Sequence, residues 1–119
     1  MEVLLDTSFI LSCVREKVDF TLADEYGKLL LAREVIQELE KLASSKRPDS
    51  NLATLALKII DCNKEKFRII ELENEDVDSG IIEYARAKKT IVATMDARIK
   101  KFVRKKLVLR ARKTLWLEY

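Results

Sequence analysis

Histidine is absent from this 119-residue chain, and glycine (two), proline (one), cysteine (two) and tryptophan (one) are all sparse. So little glycine and proline, with 48% apolar and 36% charged residues, excludes disorder as the main state. The composition suits one compact, helix-rich α/β domain spanning residues 1–119. Cys13 and Cys62 have no metal-ligand spacing, and both fall in segments read as helices, where small buried thiols are expected. A reducing, cytoplasmic setting is the matching expectation. No apolar run approaches the ~20 residues of a membrane span, so no membrane partner is expected. The chain opens directly on an apolar strand with no signal-like segment before it.

What is plentiful is charge, and it is unevenly distributed. The net charge is +3, yet residues 1–96 carry 14 basic and 19 acidic side chains while residues 97–119 carry 9 basic and 1 acidic. A basic segment of this kind suggests a polyanionic partner; a solvated helix face is the plainer alternative.

Apolar runs and caps divide the chain into alternating elements. Strands are expected at Glu2–Leu5, Lys28–Ala32, Phe67–Leu72 and Thr90–Thr94, with candidate final strands at Leu107–Leu109 and Thr114–Leu117. Helices are expected at about Thr7–Arg15, Phe20–Tyr26 (closed by Gly27), residues 33–45, Leu52–Glu65, Asp76–Lys88 and Asp96–Lys105. Strands alternating with helices imply right-handed crossovers. The expected fold is a three-layer α/β/α sandwich with a central, mainly parallel five-stranded sheet.

The acidic residues stand out against this frame. Asp6 ends the first strand and Asp96 follows the fourth, and open α/β sheets bind ligands beyond strand carboxyl ends where strand order reverses. Either aspartate also suits a helix N-cap. Asp78 lies on the apolar stripe of its helix, within about 60° of Ile81, Ile82 and Ala85. A carboxylate there needs a cation, a hydrogen-bond network or a proton. Asp76, about 160° round the same helix, points away. Glu38 and Glu40 flank the Leu39 stripe by similar angles, so spacing cannot choose between them. Four converging carboxylates without histidine would make a hard-oxygen site, suited to Mg²⁺ or Mn²⁺ rather than zinc.

At this point the motifs resemble those of the PIN-domain nucleases. LDTSF (Leu5–Phe9) is similar to that family's opening strand–Asp–Thr motif, and EVIQELEKL (Glu34–Leu42) to its second, aligning Glu38 with the ligand. DSGIIEYA (Asp78–Ala85) resembles the helix that supplies the third acid, and VATMD (Val92–Asp96) the Thr-x-Asp after the fourth strand. Ser8 stands where asparagine is common, and Ala97 and Arg98 follow Asp96 without the further acid some members carry. The stretches ELEKLASSKRP and LATLALKII most resemble archaeal proteins related to ribosomal-RNA-processing PIN endonucleases, and toxin-type PIN ribonucleases less so.

The resemblance implies a metal-dependent endoribonuclease that leaves a 5′-phosphate and a 3′-hydroxyl. Asp6, Glu38, Asp78 and Asp96 would be catalytic and metal-binding, with Thr7, Ser8 and Thr94 orienting them. Arg98, Lys100, Lys101, Arg104, Lys105 and Lys106, joined by Arg110, Arg112 and Lys113, would hold single-stranded RNA by its backbone. Phe102 and Val103 are read as core, and Trp116 as a base-stacking or subunit-contact residue. Small PIN domains often pair, so the resemblance extends to a homodimer. Two rival readings are a non-catalytic RNA-binding or ribosome-assembly module and a receiver-type domain using Asp6 as phosphoryl acceptor. The receiver reading expects an acidic pair after the first strand and a phosphate-binding lysine, whereas the Asp6-Thr7-Ser8 turn supplies one acid.

Overall fold

The computed structural model describes residues 1–119. Six strands, β1 (Glu2–Leu5), β2 (Lys28–Ala32), β3 (Phe67–Ile70), β4 (Ile91–Ala93), β5 (Lys106–Arg110) and β6 (Thr114–Glu118), form one sheet in the order β3-β2-β1-β4-β5-β6. The first five are parallel, and β6 pairs antiparallel with β5. The expected mainly parallel α/β sandwich is therefore present, with six strands rather than five. The extra strand arises because Ala111–Lys113 turns the chain back on β5, with Arg112 and Lys113 both at positive φ.

The helices are α1 (Thr7–Arg15), α2 (Arg33–Ala43), α3 (Ser50–Cys62), α4 (Val77–Lys88) and α5 (Ala97–Phe102), with a 3₁₀ turn at Phe20–Tyr26. From β1 the chain winds through β2 to β3, then crosses back to β4 and continues to β5. Right-handed crossovers therefore put α1–α3 on one face and α4–α5 on the other. Strand order reverses between β1 and β4.

Burial on both faces explains the continuous apolar strands. Leu4, Leu5, Leu29, Leu30, Leu31, Val92, Ala93 and Leu107 are all fully or almost fully buried, and Phe9, Leu39, Ile81 and Ile99 close over them from the helices. At full burial each such side chain contributes roughly 1.5–3 kcal/mol. Gly27 sets the entry to β2: its φ is 154°, and a Cβ there would lie 2.3 Å from the Met1 carbonyl oxygen. That close approach lets the Lys28 N–H donate to the Met1 carbonyl at 3.0 Å.

Some boundaries and burials differ from expectation. β3 stops at Ile70, and the Leu72 N–H instead donates to Glu34 Oε1 at 3.1 Å. The last helix ends at Phe102 rather than Lys105, because Val103 is already extended and the Lys105 carbonyl accepts from Val92 N–H at 3.0 Å. Phe102 is consequently exposed, while Val103 is core as expected. Cys13 is buried but Cys62, at the end of α3, is exposed. No helix is long and apolar enough to cross a membrane.

Candidate active site

β1 and β4 are paired so that Leu5 lies opposite Ala93, and the Asp6 N–H donates to the Ala93 carbonyl at 2.9 Å. This places Asp6 beside Thr94 at the carboxyl edge of the sheet, where strand order reverses. Asp6 is 4% exposed and occupies the N-cap position of α1 without making a side-chain cap bond. Its Oδ2 accepts instead from Ser8 Oγ at 2.5 Å and Thr94 Oγ1 at 2.9 Å. The same hydroxyls bind the facing backbone: Met95 N–H donates to Ser8 Oγ and Asp96 N–H to Thr94 Oγ1, both at 3.0 Å. Serine thus serves where the resemblance expects asparagine.

Glu38, on α2, is half-buried and accepts from Thr7 Oγ1 at 2.7 Å, whereas Glu40 faces solvent. Of the two glutamates that helical spacing left open, Glu38 is therefore the one turned towards Thr7 and the end of β1. Asp78, in the first turn of α4, is also half-buried. Asp96 caps α5, its Oδ1 accepting from Arg98 N–H at 2.8 Å, so the capping alternative applies to it and not to Asp6.

These carboxylates act on one another. Burial raises the pKa of Asp6, its hydroxyl partners lower it, and Asp96 raises it further. Burial also raises Glu38, opposed by the Thr7 bond and reinforced by Asp6 and Asp78. Asp78 is raised by burial and then by Asp6 and Asp96. Asp6, Glu38, Asp78 and Asp96, from four separate elements, are therefore near enough for each to feel or shift at least one of the others, and Asp76 adds to the same field.

Arg98 is the nearby cation, 4.0 Å from Asp78 Oδ2 and 3.7 Å from Asp76 Oδ2. The sequence places it among the RNA contacts, and it stands at the rim of the acids. Asp76 is an exposed N-cap of α4 whose bonds from Ser79 hold its carboxyl below the usual range. Although expected to point away, it lies near enough to raise the pKa of Glu38 and Asp78.

The donor set fits a hard cation. It consists of carboxylate oxygens, and a divalent ion would relieve the repulsion and desolvation that push three of the acids up. In the present rotamers no three acidic, cysteine or histidine side chains close on a common metal position. Mg²⁺ retains several waters and is often held by only one or two carboxylates directly, so water-bridged binding suits this opening.

The remaining predicted RNA contacts do not form one strip. Lys100 and Lys106 act on Glu118 of β6, while Arg104 and Lys105 line a cavity beside Met1 and Thr90, at the amino edge of the sheet. Arg110 bonds Glu118 at 2.9 Å and lies 4.7 Å from the ring centroid of Trp116, so that half-exposed indole already has a cationic neighbour. Linear charge could not reveal this division, because strand polarity sends successive turns of the chain to opposite edges.

No family model and no curated protein sequence matches the chain. Solved structures do. The PIN domain endonuclease Utp24 superposes with a TM-score of 0.75 at 25% identity, covering 98% of this chain and 90% of that one. A domain of a functionally unknown protein from Methanocaldococcus jannaschii has a TM-score of 0.62 at 17% identity, covering 92% of this chain and 91% of its own. PAE2754 from Pyrobaculum aerophilum has a TM-score of 0.60 at 19% identity, covering 87% of this chain and 81% of its own. The last two relationships concern fold alone; with the first, over nearly its whole length, this chain has the fold of the PIN-domain endonucleases.

Proposed function

We propose that this protein is a metal-dependent endoribonuclease whose site is formed by Asp6, Glu38, Asp78 and Asp96. The observation that carries the reading is their assembly at the sheet's switch point, where burial and mutual repulsion raise three of their pKa values. Asp6 and Asp96 would hold Mg²⁺ or Mn²⁺, with Glu38 and Asp78 contributing directly or through water. When bound, the ion supplies Lewis-acid activation of water and offsets charge building on the scissile phosphate.

The chain's own residues prepare that chemistry. Ser8 and Thr94 fix Asp6 through one oxygen, leaving Oδ1 outside the hydroxyl network. Thr7 fixes Glu38. Arg98, 4.0 Å from Asp78 at the rim of the acids, is placed to meet an incoming phosphate. Water adds to phosphorus, the bond to the 3′-oxygen breaks, and that oxygen takes up a proton, leaving a 5′-phosphate and a 3′-hydroxyl. A protein general base is not needed, which accords with a chain lacking histidine. The sequence resemblance points to ribosomal-RNA processing as the setting.

The test is to incubate end-labelled single-stranded RNA with protein and Mn²⁺, then with EDTA, then with Asp6→Asn. Cutting should need the metal, yield 5′-phosphate ends, and fall in the variant beyond the roughly 10–100-fold typical of losing an orienting group. Undiminished cutting in EDTA would remove the metal from the reading. Tight binding by both proteins without cutting would make the chain a binding module.

A further inference from the structure

At the amino edge of the sheet, opposite the carboxylates, lies a cavity of about 440 Å³ lined by Met1, Ala85, Arg86, Lys89, Thr90, Phe102, Arg104 and Lys105. Four of these residues are cations, none is acidic, and none of the four cations forms an ion pair. We propose that this cavity is a second nucleic-acid site, binding a phosphate of a single-stranded RNA with an adjacent base against Phe102.

Three observations favour that occupant. The first is charge. α4 and α5 both end here, and basic residues near helix C-termini answer the helix dipole. Each helix end carries only about half a negative charge, so four cations leave roughly three positive charges unanswered.

The second is an orphaned hydroxyl. Thr90 is 4% exposed, and its Oγ1 is the one buried side-chain polar atom in the protein with no hydrogen-bond partner. A buried donor without an acceptor is destabilising, and a phosphate oxygen would supply one once a small outward rotation of the Thr90 side chain exposed its hydroxyl to the cavity. Lys89 adds to this: it caps α4 at φ 55°, ψ 42°, a left-handed position where glycine is the usual residue. A lysine there carries strain while its charge borders the cavity.

The third is aromatic surface. Phe102 is 52% exposed beside the apolar Met1 and Ala85, and an exposed ring among cations is how single-stranded nucleic acids are held without sequence preference. A small inorganic anion would have no use for that ring.

The inference deepens the ribonuclease reading by giving the same strand a contact remote from the acids. β4 is three residues long, so the two edges are separated by roughly 10 Å of strand plus the flanking turns. A strand reaching both must pass round the sheet.

Binding of a fluorescein-labelled uridine oligonucleotide, followed by anisotropy in EDTA, tests the site without cleavage. Lys89→Gly combined with Arg104→Ser should weaken binding roughly tenfold and reduce the salt slope by about 1.4. Phe102→Ser should cost about tenfold. Thr90→Val and Lys89→Gly alone should weaken binding while melting at or above the parent temperature, because one removes an orphaned hydroxyl and the other relieves a left-handed lysine. Lys58→Ser with Lys64→Ser, on or just beyond α3, serves as the charge-matched control and should lose less than twofold. Equal losses in the control and cavity variants would overturn the proposal, as would a Phe102→Ser variant that binds as tightly as the parent. Cutting is scored separately in Mn²⁺. Binding through this cavity without cutting would sink the ribonuclease reading and leave this one standing; cutting with unaltered binding by the cavity variants would do the reverse.

Discussion

The two edges of the sheet carry opposite chemistry. At the carboxyl edge, Asp6, Asp78 and Asp96 sit at the starts of α1, α4 and α5, Asp6 held by two hydroxyls and all three partly withdrawn from water. At the amino edge, Arg86, Lys89, Arg104 and Lys105 surround an open cavity near the ends of α4 and α5. Parallel strands give every helix between them the same polarity, so its positive end faces one edge and its negative end the other. The fold itself therefore sorts acids from bases. What it does not account for is the surplus: four acids in one pocket and four cations around another. Those surpluses are where function is sought.

The contrast can be broken most strongly at Gly27. Gly27→Ala would drive a Cβ into the Met1 carbonyl in a backbone region that side chains avoid, costing about 3 kcal/mol or more and loosening the amino edge. Chemical denaturation should register the loss, and an unchanged midpoint would show that the edge can relax around it.

Thr94→Val comes next. It removes a bond to buried Asp6 and the acceptor for Asp96 N–H, for an expected loss of about 1–3 kcal/mol, and Mn²⁺-dependent cutting should fall with it. A variant equally stable and active would mean that Ser8 alone positions Asp6.

A smaller effect sharpens the electrostatics. Carboxyls whose folded pKa is raised favour the folded state fully below the unfolded carboxylate range, and that contribution is lost as pH rises through their folded pKa. For Asp6, Glu38 and Asp78 the direction is upward. In EDTA, wild type should thus lose stability relative to Asp6→Asn between acidic and neutral pH, and added Mn²⁺ should restore the wild type selectively. Melting curves of the pair across that range decide it, and a constant difference would contradict the upward shift that burial, and then mutual repulsion, impose.

Smallest is a thiol difference that leaves both edges intact. Exposed Cys62 should react with a thiol reagent at neutral pH, while burial pushes the Cys13 thiol up to about 12 and keeps it silent until unfolding. Two reactive thiols in the native state would place α1 less firmly over the sheet.

Much of this architecture was legible in the chain. Apolar runs such as Lys28–Ala32 identify strands buried on both faces, and Asp6 and Asp96 stand at strand ends by inspection. The choice of Glu38 over Glu40 rested on family resemblance until the Thr7 hydroxyl gave it a physical basis, a contact across 31 residues that periodicity cannot contain. The end of α5 was misjudged for a similar reason: helical spacing continues to Lys105, but the ladder to β4 claims that residue's carbonyl. A helix running to Lys105 implies a core Phe102, whereas ending it at Phe102 leaves that ring exposed. Charge counting grouped Arg98 with Arg104, and only the path of the strands separates them.

The bond between Thr94 and Asp6 spans 88 positions of sequence. A ribosome would have to release residues 6–94 before those partners could meet, so on the proposed activity a nascent chain would carry its first acids without a working centre. On the proposed activity, the fourth strand acts as a timer: no RNA near the site of synthesis is at risk until β4 has emerged and paired with β1.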